Sequence, residues 1–143
     1  MSQGQGEGAL NDVLVAFARC VWDVQELGRR LGYLAAGVEE VIEDVRDFHA
    51  AVDSLISAPP GLGAARRLRE AMTDDDRRLL REVRAARDAL MHDFFIDHPV
   101  ESGGVIDPAA LTRASAVLTS ITDTFRRAHE LAARLEDTPV SNT

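Results

Sequence analysis

Apolar residues recur every three or four positions along almost the whole chain, and no run of alternating β-branched residues interrupts them. This spacing places apolar side chains on one face of an α-helix. We therefore predict an all-α fold, an up-and-down helical bundle of four main helices plus one short helix, without a sheet. At 143 residues the chain is long enough for one core and too short for two domains.

The N-terminal part of the chain carries two apolar stripes with glycines between them. The first stripe consists of Leu10, Leu14, Phe17, Val21, Val24 and Leu31, and Asn11 is its candidate N-cap. The second stripe consists of Leu34, Val38, Val41, Val45, Phe48, Val52 and Leu55. Gly28, Gly32 and Gly37 either form a turn between antiparallel helices or are tolerated within one long helix; we expect a break near Gly28–Gly32.

The middle of the chain contains a stop and a capped helix. Ala58-Pro59-Pro60-Gly61 ends the preceding helix, and a short helix is expected over 62–72. Thr73 is a candidate N-cap, because the acids at 74–76 favour the positive end of a helix dipole. This helix should reach about Ile96 and bury Leu80, Val83, Leu90 and Phe94.

The last helix has a strong start signal, an N-cap Asp107 followed by Pro108. The segment before it, 101–104, is expected to be a loop. The buried stripe of the last helix consists of Leu111, Leu118, Ile121, Phe125, Ala128, Ala132 and Leu135. In domain terms we predict a disordered tail over 1–8, a single helical domain over 9–136 and a frayed tail over 137–143.

The charge of the chain narrows its possible partners. A net charge of −8 argues against a general nucleic-acid coat protein. All sixteen basic residues are Arg, and half of them lie between Arg66 and Arg87. This crowding is either a solvated helix face or a local strip that attracts phosphate. The acids Glu39, Glu40, Glu43, Asp44 and Asp47 are interpreted as a solvated outer face.

The N-terminal residues, the apolar runs and the cysteine count together indicate the cellular compartment. The first residues have no basic and apolar pattern typical of a secretory signal, and no apolar run approaches the roughly 18 residues of a membrane span. The single cysteine, Cys20, has no partner within the chain for a disulfide and is expected to be packed. We therefore predict a cytoplasmic protein.

The run Arg87-Asp88-Ala89-Leu90-Met91-His92 carries the chemistry of interest. Arg87 occupies a slot between Val83 and Leu90 on a stripe where an apolar residue is expected. A guanidinium is a permanent cation suited to gripping phosphate, and an imidazole exchanges protons near neutral pH. The alternative is that Arg87 forms an internal salt bridge, with Asp88 or with an acid on a neighbouring helix.

This run resembles the Arg-polar-x-x-x-His signature of the HEPN superfamily, compact helical domains that include RNases and toxins of prokaryotic defence systems. The resemblance implies a metal-independent endoribonuclease in which an RNA 2′-OH attacks the adjacent phosphate. His92 would serve as general base or general acid, Arg87 would hold the phosphate, and Asp88 would orient one of them. It implies no cofactor and no metal.

On an α-helix, two residues five positions apart project about 140° from each other around the helix axis and lie about 7.5 Å apart along it. Arg87 and His92 have this spacing. One straight helix therefore does not aim both at one target. A two-fold homodimer would bring both pairs to one cleft. HEPN RNases resemble this arrangement, with their two signatures meeting at the dimer interface.

Some details qualify what the resemblance implies. HepT-type toxins carry, two residues after the His, a Tyr that an antitoxin adenylylates, whereas this chain has Phe94, so we do not expect that form of control. A cognate antitoxin or regulatory protein is a possible partner, and the alternative function is a catalytically inactive interaction module.

His98 with Asp93 and Asp97 fits no compact metal ligand set. His49 and His129 are interpreted as surface or satisfied residues.

Overall fold

The computed structural model describes residues 3–36, 52, 68 and 70–137 of the protein. Its long helices are α1 (Gln3–Ala36), α2 (Asp74–Met91) and α4 (Pro108–Glu136). The short helix α3 (Phe94–Asp97) and a hairpin of β1 (Glu101–Ser102) and β2 (Val105–Ile106) connect α2 to α4. The predicted all-α helical bundle is confirmed, since these two-residue strands are the only sheet in the ranges given above.

Contacts between the helices define their directions. Cys20 contacts Leu118, and Arg30 further along α1 pairs with Glu136, so α1 and α4 run parallel. Asp76 at the start of α2 pairs with Arg134, and Glu82 further along α2 pairs with Arg127, so α2 runs antiparallel to α4 and therefore also to α1. We call the end of the bundle that contains Arg30 and Arg134 the upper end. The lower end contains the start of α1, the end of α2, α3 and the hairpin.

The core lies mainly between α1 and α4, with α2 packed against both. The fully buried side chains of greatest volume are Phe125, Leu27, Leu31, Leu80, Leu90, Leu118, Leu135, Val52, Val83 and Cys20. Burial raises the pKa of the Cys20 thiol; a hydrogen bond with Thr122 opposes this rise, and nearby Asp23 adds to it. Cys20 is therefore a packed core residue, as predicted.

The predicted break near Gly28–Gly32 is wrong, because α1 continues without interruption to Ala36. Both glycines are buried, and each lies next to a leucine, Leu27 or Leu31, that is completely buried. A glycine within a helix costs about 1 kcal/mol relative to Ala. Burying each leucine contributes roughly 1.5–3 kcal/mol, so packing outweighs the weak helix propensity.

The start of α1 also differs from the prediction. The helix begins at Gln3, inside the segment expected to be a disordered tail, so Asn11 is not its N-cap. The predicted stripe is buried as expected at Val24 and Leu31, but its first part is not. Val13 and Cys20 are buried, whereas Leu14 is 45% exposed. The many apolar residues of α1 allow several stripes, and spacing alone does not select among them.

The start signals of the other two long helices are confirmed. Thr73 accepts a hydrogen bond from the backbone N–H of Asp76, and the Asp76 carboxylate accepts one from the backbone N–H of Thr73, which completes a capping box. Asp107 accepts hydrogen bonds from the N–H groups of Ala109 and Ala110. Each residue of the predicted stripes on α2, α3 and α4 is buried: Leu80, Val83, Leu90, Phe94, Leu111, Leu118, Ile121, Phe125, Ala128, Ala132 and Leu135.

The connection between α2 and α4 corrects two expectations. The helix predicted to reach Ile96 ends at Met91 and restarts as α3. The segment predicted as a loop is a tight hairpin in which Gly103 and Gly104 have φ values of 58° and 79°. Two consecutive residues with positive φ form the turn that suits a two-residue hairpin, and only Gly adopts it without strain.

Several predicted features fall outside the described residues. They include most of the second apolar stripe, the acidic group between Glu39 and Asp47, His49, and the tail beyond Asp137. Of the short helix expected over 62–72, four residues are described: Leu68, Glu70 and Ala71 are helical, and Met72 is not. None of the helices in the described ranges combines the length and apolar character needed to span a bilayer.

Two ion pairs join the helices at the upper end. Arg30 on α1 donates two hydrogen bonds to the Glu136 carboxylate, at 2.9 and 3.0 Å, and its Nη1 lies 2.9 Å from Nδ1 of His129. Arg134 on α4 donates to Asp76 of α2. Burial by itself raises the pKa of Asp76, but the hydrogen bonds from Arg134 and Thr73 oppose it and hold the pKa below its ordinary value.

Replacing Asp76 with Ala removes the cap and the ion pair together. We expect the free energy of unfolding at pH 7 to fall by about 2 kcal/mol, with each contact contributing about half. Urea denaturation followed by circular dichroism measures this loss. Asp75→Ala is the matched control: its side chain is exposed and, among the described residues, pairs with Arg78 on its own helix, so its loss should be much smaller.

The difference between wild type and Asp76→Ala should also depend on pH. The folded-state pKa of Asp76 is lower than its ordinary value of 3.8, so the carboxylate stabilises the fold above that pH. This contribution is lost as pH falls through the lowered pKa. A stability difference that stays constant between pH 7 and pH 3 would contradict the assignment.

Candidate active site

Arg87 lies on α2, one turn after Val83 and one turn before Leu90. Both apolar neighbours are fully buried, which confirms that Arg87 occupies a slot on the buried stripe. Its side chain nevertheless remains 27% exposed. The flexible stem of an Arg lets the guanidinium reach toward solvent while the methylene groups cover apolar surface. The cation is therefore accessible from outside.

Asp88 is the acid paired with Arg87. The Arg87 Nη1 atom lies 3.6 Å from Oδ1 of Asp88, and the Asp88 side chain is 43% exposed. This separation is longer than the 2.7–2.9 Å of a strong charge-assisted hydrogen bond. Of the internal pairings considered in the sequence analysis, the one with Asp88 is thus present, and this contact is partly solvated. A partly exposed pair of this kind contributes at most about 1 kcal/mol to stability.

His92 is the C-cap of α2, and its side chain is exposed. Its backbone N–H donates to the carbonyl of Asp88 at 3.1 Å, so the last helical turn holds the His92 backbone. Its ring has no hydrogen bond or ion pair with another residue in the described part of the chain. The imidazole is therefore positioned at the end of a helix and open to a substrate.

The structure brings Arg87, Asp88 and His92 to one end of one helix. Because five helical residues separate Arg87 from His92, the two side chains leave the axis about 140° apart and about 7.5 Å along it. Asp88 joins Arg87 directly, whereas His92 is linked to Asp88 through the backbone alone. Within one chain, the geometry favours an Arg–Asp pair with a separate imidazole.

The aromatic residues after His92 have a packing role. The Phe94 ring lies 5.5 Å from the ring of Phe17 on α1, and Phe95 lies 5.0 Å from both rings. Phe94 is only 3% exposed. This cluster fixes the lower end of α2 against α1 and so determines where His92 emerges.

Ion pairs occupy part of the Arg-rich strip that precedes the site. Arg77 pairs with Asp74 and Arg78 pairs with Asp75, each one turn apart on α2. These pairs reduce the positive field at the start of α2. Arg81 is exposed and lies closer to His92. Both interpretations given above therefore apply to parts of the strip. Arg77 and Arg78 form solvated ion pairs at its start, and Arg81 is an exposed cation closer to the site.

Sequence reasoning missed two features of the fold. The first is the contact of Arg30 with Glu136 and His129, which joins residues about one hundred positions apart and has no local sequence signal. The second is a pair of surface pockets at the lower end. Both include Pro99 and Glu101, and neither includes Arg87 or His92. The turn residues between His98 and Gly104 were the available signal for them.

The metal interpretation of His98 gains no support from the structure. Among the described residues, no group of three or more His, Cys, Asp or Glu side chains is placed to hold a metal ion. The His98 ring instead packs 5.0 Å from the Phe94 ring. It is also the C-cap of α3, where a His is common.

Comparisons with family models, with curated proteins and with solved structures give no match for this chain.

The aromatic cluster should make a large contribution to stability. Replacing Phe94 with Ala is expected to lower the free energy of unfolding by about 3 kcal/mol or more, because it leaves a cavity beneath α1. Ile96→Ala is the control, since Ile96 is 76% exposed and should change stability by less than about 0.5 kcal/mol. Equal effects of the two substitutions in urea denaturation would show that the cluster does not hold the end of α2.

Proposed function

We propose that this protein is a metal-independent endoribonuclease of the HEPN type. In this proposal the protein acts in the cytoplasm as a homodimer, and its composite site uses Arg87, Asp88 and His92 from the two chains. It is a candidate toxin or defence component, and a cognate antitoxin or regulatory protein would restrain it. The observation that carries the proposal is an exposed imidazole at the end of α2, five residues after a partly exposed guanidinium on the same helix.

The chemistry would require no cofactor. A neutral His92 ring accepts the proton of a ribose 2′-OH, whose oxygen then attacks the adjacent phosphorus. The bond from phosphorus to the 5′-oxygen breaks, the leaving oxygen takes a proton from solvent water, and His92 returns the proton it accepted to the solvent. The products are a 2′,3′-cyclic phosphate and a 5′-hydroxyl.

Arg87 and Asp88 would have distinct roles in this reaction. The guanidinium binds the phosphate oxygens and offsets the negative charge that grows on them in the transition state. Asp88, 3.6 Å from Arg87, restricts where that guanidinium points. Asp88 is therefore a positioning residue, while Arg87 and His92 contact the substrate.

A second candidate function is a catalytically inactive interaction or regulatory module. One observation favours it: Val15, Trp22 and Tyr33 are exposed, and their spacing places them within about 20° of each other around α1. Trp22 is 68% exposed, with its indole N–H bonded to Glu26 at 2.8 Å. Exposed apolar side chains on one helix face are typical of protein-binding surfaces.

An RNA cleavage assay distinguishes the two functions. We expect the wild-type protein to cleave single-stranded RNA in the presence of EDTA, and to leave the same sequence intact as DNA because DNA lacks the 2′-OH. His92→Ala should lower the rate by roughly a hundredfold or more, the usual contribution of a general acid or base. Mass analysis should identify a 2′,3′-cyclic phosphate product.

The control for this assay is His129→Gln, which changes an imidazole at the upper end of the bundle. It should keep the wild-type cleavage rate. Thermal unfolding of each variant separates a loss of chemistry from a loss of fold. A wild-type protein that cleaves no RNA, together with a His92→Ala variant that is clearly destabilised, supports the interaction module instead.

Mixing two inactive variants tests whether the site is shared between chains. Arg87→Ala and His92→Ala should each be inactive alone. After unfolding and refolding together, the mixture should recover roughly a quarter of the wild-type rate, since half of the dimers are then mixed and each has one complete pair across the interface. Sedimentation velocity measures the dimer directly. No recovery from a sample shown to be dimeric would place each site within one chain.

A further inference from the structure

The lower end of the bundle contains an apolar groove that the proposed nuclease chemistry does not use. Its walls are Leu10 and Leu14 of α1 together with Phe95, Pro99 and Val100, and its volume is about 350 Å³. Leu14 is 45% exposed within a helix whose neighbouring face is buried. The groove is thus an accessible apolar surface of the size that takes one or two side chains.

An acidic pocket of about 300 Å³ adjoins this groove, and Pro99 and Glu101 line both. Its charged side chains include three carboxylates, those of Asp97, Glu101 and Asp107, and one guanidinium, that of Arg113. Asp107 is engaged in capping α4. Asp97 and Glu101 are exposed and form no ion pair with another described residue. The pocket therefore carries more negative than positive charge, because the one guanidinium of Arg113 offsets only part of the charge of the three carboxylates.

We propose that the groove and the acidic pocket together bind an extended peptide segment of a partner protein, one that presents an aliphatic or aromatic side chain close to a Lys or Arg. The apolar side chain enters the groove, and the cation lies beside Asp97 and Glu101. In an extended peptide, side chains two residues apart point to the same side about 7 Å from each other, which suits two pockets with a common wall.

Charge complementarity selects this occupant. The net charge of −8 attracts a basic partner and repels anionic surfaces such as phospholipid headgroups. Both pockets are open to solvent along exposed residues, whereas sites for small molecules bury most of their ligand. This inference goes beyond the proposed nuclease and does not depend on it.

The test is a titration of ¹⁵N-labelled protein with the synthetic peptide acetyl-Ser-Leu-Ser-Arg-Ser-amide. Two matched peptides replace the Leu by Ser or the Arg by Glu. We expect backbone amide shifts at Leu14, Phe95, Val100 and Glu101, and a dissociation constant in the millimolar range or below. Each matched peptide should bind roughly tenfold more weakly, because it lacks either the apolar or the cationic half of the interaction.

Two protein variants with the same change of charge complete the test. Glu101→Lys places a cation in the shared wall and should abolish the shifts. Asp12→Lys changes an exposed acid on the opposite side of α1 from Leu10 and Leu14 and should leave binding within about twofold. The proposal is overturned if the first peptide gives no shifts at these residues. It is also overturned if the peptide without Leu binds equally well, or if both variants weaken binding to the same extent.

Discussion

The packing of α1 along α4 is the contact on which the rest of the structure depends. It buries Leu27, Leu31 and Phe125 completely, and it is strong enough to keep two glycines within a continuous helix. The bidentate pair of Arg30 and Glu136 fixes the upper end of this contact. Because α1 and α4 run parallel, the lower end has to accommodate both the start of α1 and the turn into α4. Both surface pockets lie there.

The position of the candidate site follows from this arrangement. The ring of Phe17 on α1 contacts Phe94 and Phe95 immediately beyond α2, so α1 determines where α2 stops. His92 emerges at that stop with its ring exposed, while Arg87, deeper along α2, keeps its stem on the buried stripe. If α2 ended four residues later, His92 would lie inside the helix and not at its C-terminal end. The site therefore depends on packing more than on the Arg-to-His spacing alone.

The sequence predicts the parts of this fold that local chemistry determines. Thr73 and Asp107 are predictable as caps because a hydroxyl or carboxylate oxygen just before a helical stripe accepts a hydrogen bond from a free backbone N–H of the first turn. The stripe of α4 was correct because its polar and apolar positions are clearly separated. In α1, apolar residues occupy several faces, so spacing predicts the burial of Val24 and Leu31 correctly but assigns the exposed Leu14 to the core. The hairpin was missed although Gly103-Gly104 is a strong turn signal.

In the candidate site, too, some features follow from the local sequence and others from tertiary packing. Its residues and their order along the helix can be read from the sequence, and Asp88 was named as a possible partner of Arg87. The extent of solvent exposure of that guanidinium depends on tertiary packing. The groove beside Pro99 was not foreseen, because its walls come from segments about ninety residues apart.

The packing of Cys20 has a practical consequence. It is the only cysteine of the chain, and its sulfur lies 3.2 Å from the Thr122 hydroxyl within the interface of α1 and α4. A folded molecule therefore presents no thiol to a maleimide dye. A cysteine introduced on the outer surface would be the single attachment point for a fluorophore or a nitroxide, so distances between two copies could be measured without first removing the native residue.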